Sequence, residues 1–284
     1  MNSRELYNQF LNRKRASGLS PRTIEAYDYA ILPFLQLYPE LPVPAENVET
    51  YIYSNVWSQQ KRSFVFRHLK AFCCWYSRKL KEENPMLDVL KPRVKLYPVR
   101  YLTKEEIQRI YAEVSSNKRN KAIILTLLDT GIRVGELLSI RLSSLDTCIL
   151  QVNGKTGPRV VPISPIVTQL LKEIALPSGE IFGITKSRVY RIIAHYLNRI
   201  GFDGKKGPHT FRHTFAVHAL RNGMDIITVS KTMGHKTIVQ TQQYLRLAQG
   251  DMTEAHTKFS PLNFILTEDV IQIHHERTPR RIFE

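Results

Sequence analysis

The 284-residue chain is too long for a disulfide-held miniprotein and long enough to bury two cores of ordinary size. Its hydrophobic share of 43% and charged share of 23% are globular proportions, which exclude wholesale disorder. Lys and Arg outnumber Asp and Glu by 41 to 25, a net charge of +16, and a field of that sign attracts polyanions, nucleic acid foremost among them inside a cell.

The basic surplus is uneven. Residues 1–90 carry 12 basic against 9 acidic side chains, 91–100 carry 4 against 0, 101–250 carry 21 against 10, and 251–284 carry 4 against 6. An acidic membrane is the rival partner for such a charge. Against it, the longest apolar run, Ala122 to Leu128 with one Thr, falls far short of the ~18 residues that span a bilayer. The opening MNSRELYNQF has no apolar segment of the secretory kind, so a cytoplasmic protein with no membrane partner is expected. Adjacent Cys73 and Cys74 and the solitary Cys148 read as small buried hydrophobes.

Taken in chain order, residues 1–90 read as a helical domain. Ser20-Pro21 starts a helix that carries Ile24, Tyr27, Ile31, Phe34, Leu35 and Tyr38 at helical spacing and ends at the Pro39 to Pro44 break. A second amphipathic helix is expected over Lys61 to Lys81, its bases forming either a solvated face or a nucleic-acid contact. Residues 91–100, KPRVKLYPVR, read as an extended basic linker. A second domain, 101–250, opens on a capping box, Thr103 with Glu106, followed by a buried helix from Ala122 that Gly131 interrupts. The one β signal is CILQVNGKTGPRVVPI, two short strands around a turn. Ser164-Pro165 starts another helix, and further helices are expected at Lys186 to Ile200, Thr210 to Asn222, Ile226 to Met233 and Thr237 to Ala248. The expected fold is mostly α with one small antiparallel β-sheet, an α+β arrangement.

Five blocks in the second domain carry chemistry: TGIRVGEL at 130–137, GKTGPRVVP at 154–162, HTFRHTF at 209–215, MGH at 233–235, and Tyr244 nine residues after His235. Singly each has a plain reading. Arg133 and Glu136 suit a helical ion pair, and Tyr244 a core aromatic. His209 and His213 suit a pair on one helix face or a metal site, although no Cys and no H-E-x-x-H carboxylate stands beside them to complete a tetrahedral set.

In this order and at these spacings the blocks resemble the tyrosine recombinase/integrase family, which contains the Xer recombinases and the phage and transposon integrases. The segment GLSPRTIEAYDYAILPFLQLY extends the resemblance to that family's N-terminal helical core-binding domain. Carried over residue by residue, the resemblance implies Tyr244 as nucleophile and Arg133 and Arg212 as the clamp on the non-bridging phosphate oxygens. It implies Lys155 as the acid for the leaving 5′ oxygen, His209 and His235 as the remaining pocket positions, and Glu136 as an accessory acid. His213 falls on a frequent non-catalytic neighbour. Pro158 departs from the family pattern, which has a polar residue in that turn.

Charge chemistry supports these roles. Attack on an anionic phosphodiester adds charge to its equatorial oxygens, which two planar guanidinia suit. A Tyr hydroxyl, with an ordinary pKa near ~10, needs a cationic pocket or a base such as His209. Lys155 can protonate the leaving oxygen if neighbouring arginines lower its pKa. A phosphotyrosyl link conserves the bond energy, so no metal or cofactor is expected, and no Walker A loop, G-x-G-x-x-G turn or carboxylate cluster occurs.

The partner expected is double-stranded DNA, clamped between the two domains. Candidate contacts are Arg67, Lys70, Lys91, Arg93, Lys95, Lys186, Arg188, Arg191, Lys205 and Lys206. The resemblance implies a homotetramer on two DNA sites working through a Holliday junction, with room for a paralogous or accessory partner. The tail, 251–284, presents Phe259, Leu262, Phe264 and Ile265 either to its own domain or to a neighbouring protomer. The rival functions are type IB topoisomerase-like relaxation and non-catalytic DNA binding on the same fold.

Overall fold

A computed structural model describes residues 2–94, 99–154, 157–248, 256, 260 and 261. Lys95, Lys155 and the tail apart from those three positions therefore lie outside the described residues. The chain divides into two compact units, Met1–Tyr97 and Pro98–Glu284, a boundary inside the basic stretch read as a linker. Among the described residues no helix is long and apolar enough to cross a membrane.

The described residues of the first unit form four helices: α1 (Ser3–Ala16), α2 (Pro21–Leu37), α3 (Ala45–Tyr53) and α4 (Gln59–Leu80). The Asn2 side chain caps α1 by accepting from the Arg4 and Glu5 amides. Pro21 takes the first position of α2, where its missing N–H costs nothing. The expected helical spacing closes around Phe10, Phe34, Leu69 and Phe72, all fully buried, with the Phe10 and Phe72 rings edge-on at 5.4 Å. On α4 this leaves Arg67 and Lys70 exposed on the opposite face. Cys73 is buried as expected, Cys74 is half-buried, and Cys148 departs from the expectation: it stands exposed at the entry to the hairpin.

The second unit contains α5 (Lys104–Glu113), α6 (Lys118–Thr130), the short α7 (Val134–Leu138), β1 (Ile149–Gly154), β2 (Gly157–Pro162), α8 (Pro165–Ile174), α9 (Lys186–Arg199), α10 (Pro208–Arg221), α11 (Ile226–Met233) and α12 (Val239–Ala248). The mostly helical fold with one two-stranded antiparallel sheet matches the expected class. Capping of α5 is reciprocal, Thr103 Oγ1 accepting from the Glu106 amide while Glu106 accepts from the Thr103 amide. Apolar residues on every side of α6 make it the buried centre, with Ala122, Ile123, Ile124 and Leu127 at zero exposure. Arg100, placed in the linker by sequence, is tied into this unit by ion pairs to Glu106 and Asp203.

Candidate active site

Two left-handed glycines end two helices beside one another's partners. Gly131 terminates α6 at φ +60°, and a Cβ there would lie 2.5 Å from the Phe215 ring. Its carbonyl accepts from Arg212 Nη1 at 2.7 Å. Gly234 terminates α11 at φ +64°, and its carbonyl accepts from Arg133 Nη2 at 2.8 Å. The last carbonyls of a helix carry partial negative charge, so the α11 terminus is suited to hold guanidinia. Met233 O takes Arg212 Nη2 at 2.7 Å, and Thr232 O takes Arg159 Nε at 3.1 Å.

Glu136 is the anionic centre of this cluster. Only 2% exposed, it accepts from the Arg133 amide at 2.8 Å, from Arg133 Nη1 at 3.1 Å, and from both terminal nitrogens of Arg159 at 2.7 and 2.9 Å. Burial works to raise its carboxyl pKa, but the hydrogen bonds and charge of Arg159 and Arg133 outweigh that, and the net shift is downward. Its stabilising contribution is therefore present above the ordinary Glu value of about 4.3 and lost as pH falls through the lower folded value. Glu136→Gln is expected to cost about 3–5 kcal/mol at pH 7, because Arg159 is left buried without its counter-charge. Denaturant unfolding at a series of pH values checks this: the gap between variant and wild type should narrow in acid, and a pH-independent gap would contradict it.

Arg133, Glu136, Gly154, Lys186, His209 and Arg212 line one pocket of about 340 Å³. Arg212 is buried, and that burial, with the neighbouring charge of Arg133, pushes its pKa down to about 10. It stays cationic at neutral pH. His209 is lowered by desolvation and by the charges of Arg212, Arg133 and Lys186. Sequence placed the start of its helix at Thr210, whereas α10 begins at Pro208, so His209 sits in the first turn.

Tyr244 and His235 stand behind this pocket rather than on its lining. Tyr244 is 2% exposed, packed with Ala216, Val217, Val229 and Met233. Its hydroxyl shares a 2.8 Å hydrogen bond with Nδ1 of His213, the residue that sequence analysis set aside. The His235 ring stacks on Tyr244 at 6.4 Å, and its Nδ1 bonds Thr241 Oγ1 at 2.7 Å. Burial and the surrounding cations push both His213 and His235 down to about 4. Burial raises Tyr244 and exceeds the lowering by Arg212, so the phenol is neutral here. Among the described residues no three His, Cys, Asp or Glu gather as a metal-binding group.

Of the expected site residues, then, Arg133, Glu136, His209 and Arg212 meet in one pocket with Lys186, while His235 and Tyr244 form the layer behind. Arg67, Lys70, Lys91, Arg93, Arg188, Arg191, Lys205 and Lys206 are exposed, the first four on the first unit and the rest on the second. Sequence reasoning missed Arg159 as well as His213. Strand parity held the signal for the former: Arg159 shares a face of β2 with buried Val161, and a charge on the inward face calls for a buried partner.

The profile of the phage integrase family matches residues 100–250. The chain belongs to that family and is a tyrosine recombinase, an enzyme of site-specific DNA strand exchange. Among its relatives, tyrosine recombinase XerA of Saccharolobus solfataricus is 30% identical over 276 residues, covering 90% of this chain and 93% of the relative. Tyrosine recombinase XerC of Thermodesulfovibrio yellowstonii is 28% identical over 287 residues, covering 89% and 95%. The fold is shared with the Tn1549 transposon integrase solved with transposon right end DNA, at TM-score 0.72, 18% identity, and coverage of 93% of this chain and all of that one.

Proposed function

We propose that Tyr244 Oη, its proton passing to a base such as His209, attacks a DNA phosphorus, forming a 3′-phosphotyrosyl bond as the bond to the 5′ oxygen breaks. Arg133 and Arg212 hold the non-bridging oxygens, whose charge grows in the transition state. Lys155 gives the leaving oxygen its proton, and the released 5′ hydroxyl of a partner strand reverses the step. His209 lines the pocket, His235 stacks on Tyr244 outside that lining, and Glu136 fixes Arg133. Because Tyr244 is 2% exposed and its hydroxyl is bonded to His213, attack requires that hydroxyl to exchange His213 for the phosphate. The observation that carries this reading is the convergence of Arg133, Arg212, His209 and Lys186 on one pocket, with the Tyr244 layer against it.

DNA is the partner, as in the XerH structure bound to palindromic difH substrate. Four protomers on two sites, a Holliday junction intermediate and a cytoplasmic setting complete the proposal, with room in the assembly for a paralogous or accessory protein. The domain roles follow: 1–90 binds the core of the site, 91–100 runs along the backbone, 101–250 cuts, and 251–284 docks either on its own domain or on a neighbouring protomer. If the exposed bases of both units contact phosphates, log affinity should fall against log salt with a slope of about −0.9 per contact. A slope near zero in a salt titration would remove the electrostatic part.

The deciding experiment is covalent trapping on nicked duplexes without metal or ATP, followed by proteolysis and mapping of the DNA-linked peptide. An adduct on the peptide containing Tyr244 is expected. Sustained DNA binding with no adduct across a broad fragment library would overturn the catalytic reading in favour of DNA binding alone.

A further inference from the structure

Arg159 stands on β2 opposite Val152, its side chain 12% exposed and turned into the protein. Its fork grips both Glu136 oxygens, and it reaches the end of α11 through Thr232 O at 3.1 Å and Met233 O at 3.4 Å. Two glycines make room for this. A Cβ at Gly154 would lie 2.1 Å from Glu136 Oε1, and one at Gly234 would lie 2.7 Å from the Arg159 guanidinium carbon.

The acceptors that hold Arg159 belong to the same pieces of structure that aim Arg133. Glu136 Oε1 bonds Arg133 Nη1 as well, and the α11 end that takes Arg159 also presents Gly234 O to Arg133 Nη2. Arg212 depends on this set less, since Gly131 O anchors it separately. Arg159 differs from Arg133 in exposure, its side chain being 12% accessible against 29%, so Arg133 is the one with surface left for a phosphate.

We propose that Arg159 is a positioning residue which, by locking Glu136 to the end of α11, holds the Arg133 guanidinium in its phosphate-binding direction. The inference rests on the reading of Arg133 as a phosphate clamp. Without Arg159, Glu136 and the α11 terminus lose their direct tie, and Arg133, bonded to both, has no fixed aim. Lysine is no substitute, because one ammonium cannot form the paired bonds to Glu136 and also reach two carbonyls.

The test measures single-turnover cleavage of a nicked duplex at saturating DNA, with the DNA dissociation constant determined separately. The variants are Arg159→Lys, Arg159→Gln, Arg133→Ala, and each Arg159 change combined with Arg133→Ala; thermal unfolding identifies which are folded. Cleavage by both single Arg159 variants should fall by about 10- to 100-fold, the scale of a misplaced catalytic group, with the dissociation constant unchanged. Each double variant should cleave as slowly as Arg133→Ala alone, because the strut then has nothing to aim. If Arg159→Gln does not fold, the lysine cycle decides. Multiplied defects in the double variants, wild-type cleavage by Arg159→Lys, or a loss confined to DNA affinity would overturn the proposal. Wild-type cleavage by Arg133→Ala would instead overturn the clamp reading itself, which separates the two failures.

Discussion

Tyr244→Phe is expected to abolish the covalent DNA adduct completely while leaving the fold and DNA affinity close to wild type. The ring sits 2% exposed among Ala216, Val217, Val229 and Met233, and phenylalanine fills the same space without a cavity. What disappears is the hydroxyl and its 2.8 Å bond to His213. Since His213 is neutral down to about 4, it can accept the phenol hydrogen, and losing one such bond costs about 0.5–1.5 kcal/mol. Stability therefore falls slightly, whereas the proposed attack loses its oxygen. Denaturing gels of nicked-substrate reactions, run beside unfolding curves and gel shifts, separate these effects. An adduct that survives in the phenylalanine variant would transfer the nucleophile's role to another side chain.

What could be read from sequence divides along physical lines. Helix starts set by local chemistry, Ser20-Pro21, Thr103 with Glu106, and Ser164-Pro165, stand where expected because each depends on a few neighbouring residues. The pocket residues were legible through the resemblance, and three of them also through charge: an anionic substrate calls for Arg133, Arg212 and a histidine. Long-range pairings were not legible. Arg159 meets Glu136 across 23 residues and Thr232 across 73, and no local pattern encodes either. His213 was within reach of helical spacing, which puts it one turn from His209, but its bond to Tyr244 spans 31 residues and depends on how α10 and α12 pack. Cys148 shows the limit of residue-type averages, since its position at the hairpin entry, not its chemistry, sets its exposure.

Arg212→Lys is expected to slow cleavage by about 10²- to 10³-fold, nearly as much as Arg212→Ala, although it keeps the positive charge. The native guanidinium bridges Gly131 O and Met233 O at 2.7 Å each, a span that one ammonium cannot cover while offering a planar fork to phosphate. Charge is not what the native residue lacks: even pushed down to about 10, it is protonated at neutral pH. Geometry is what the lysine loses. The two variants should instead part in stability. Alanine removes the donor from the buried Gly131 carbonyl, at about 1–3 kcal/mol for an unsatisfied group, and leaves Met233 O with its longer 3.4 Å bond from Arg159. Lysine can still satisfy one of the two. DNA affinity should change little in either, because the proposed clamp strengthens as charge accumulates on the oxygens in the transition state. Single-turnover rates, equilibrium binding and unfolding, measured on the same preparations, test this ordering. Wild-type cleavage by Arg212→Lys would mean that a point charge suffices at this position and that the two carbonyl bonds serve the fold alone.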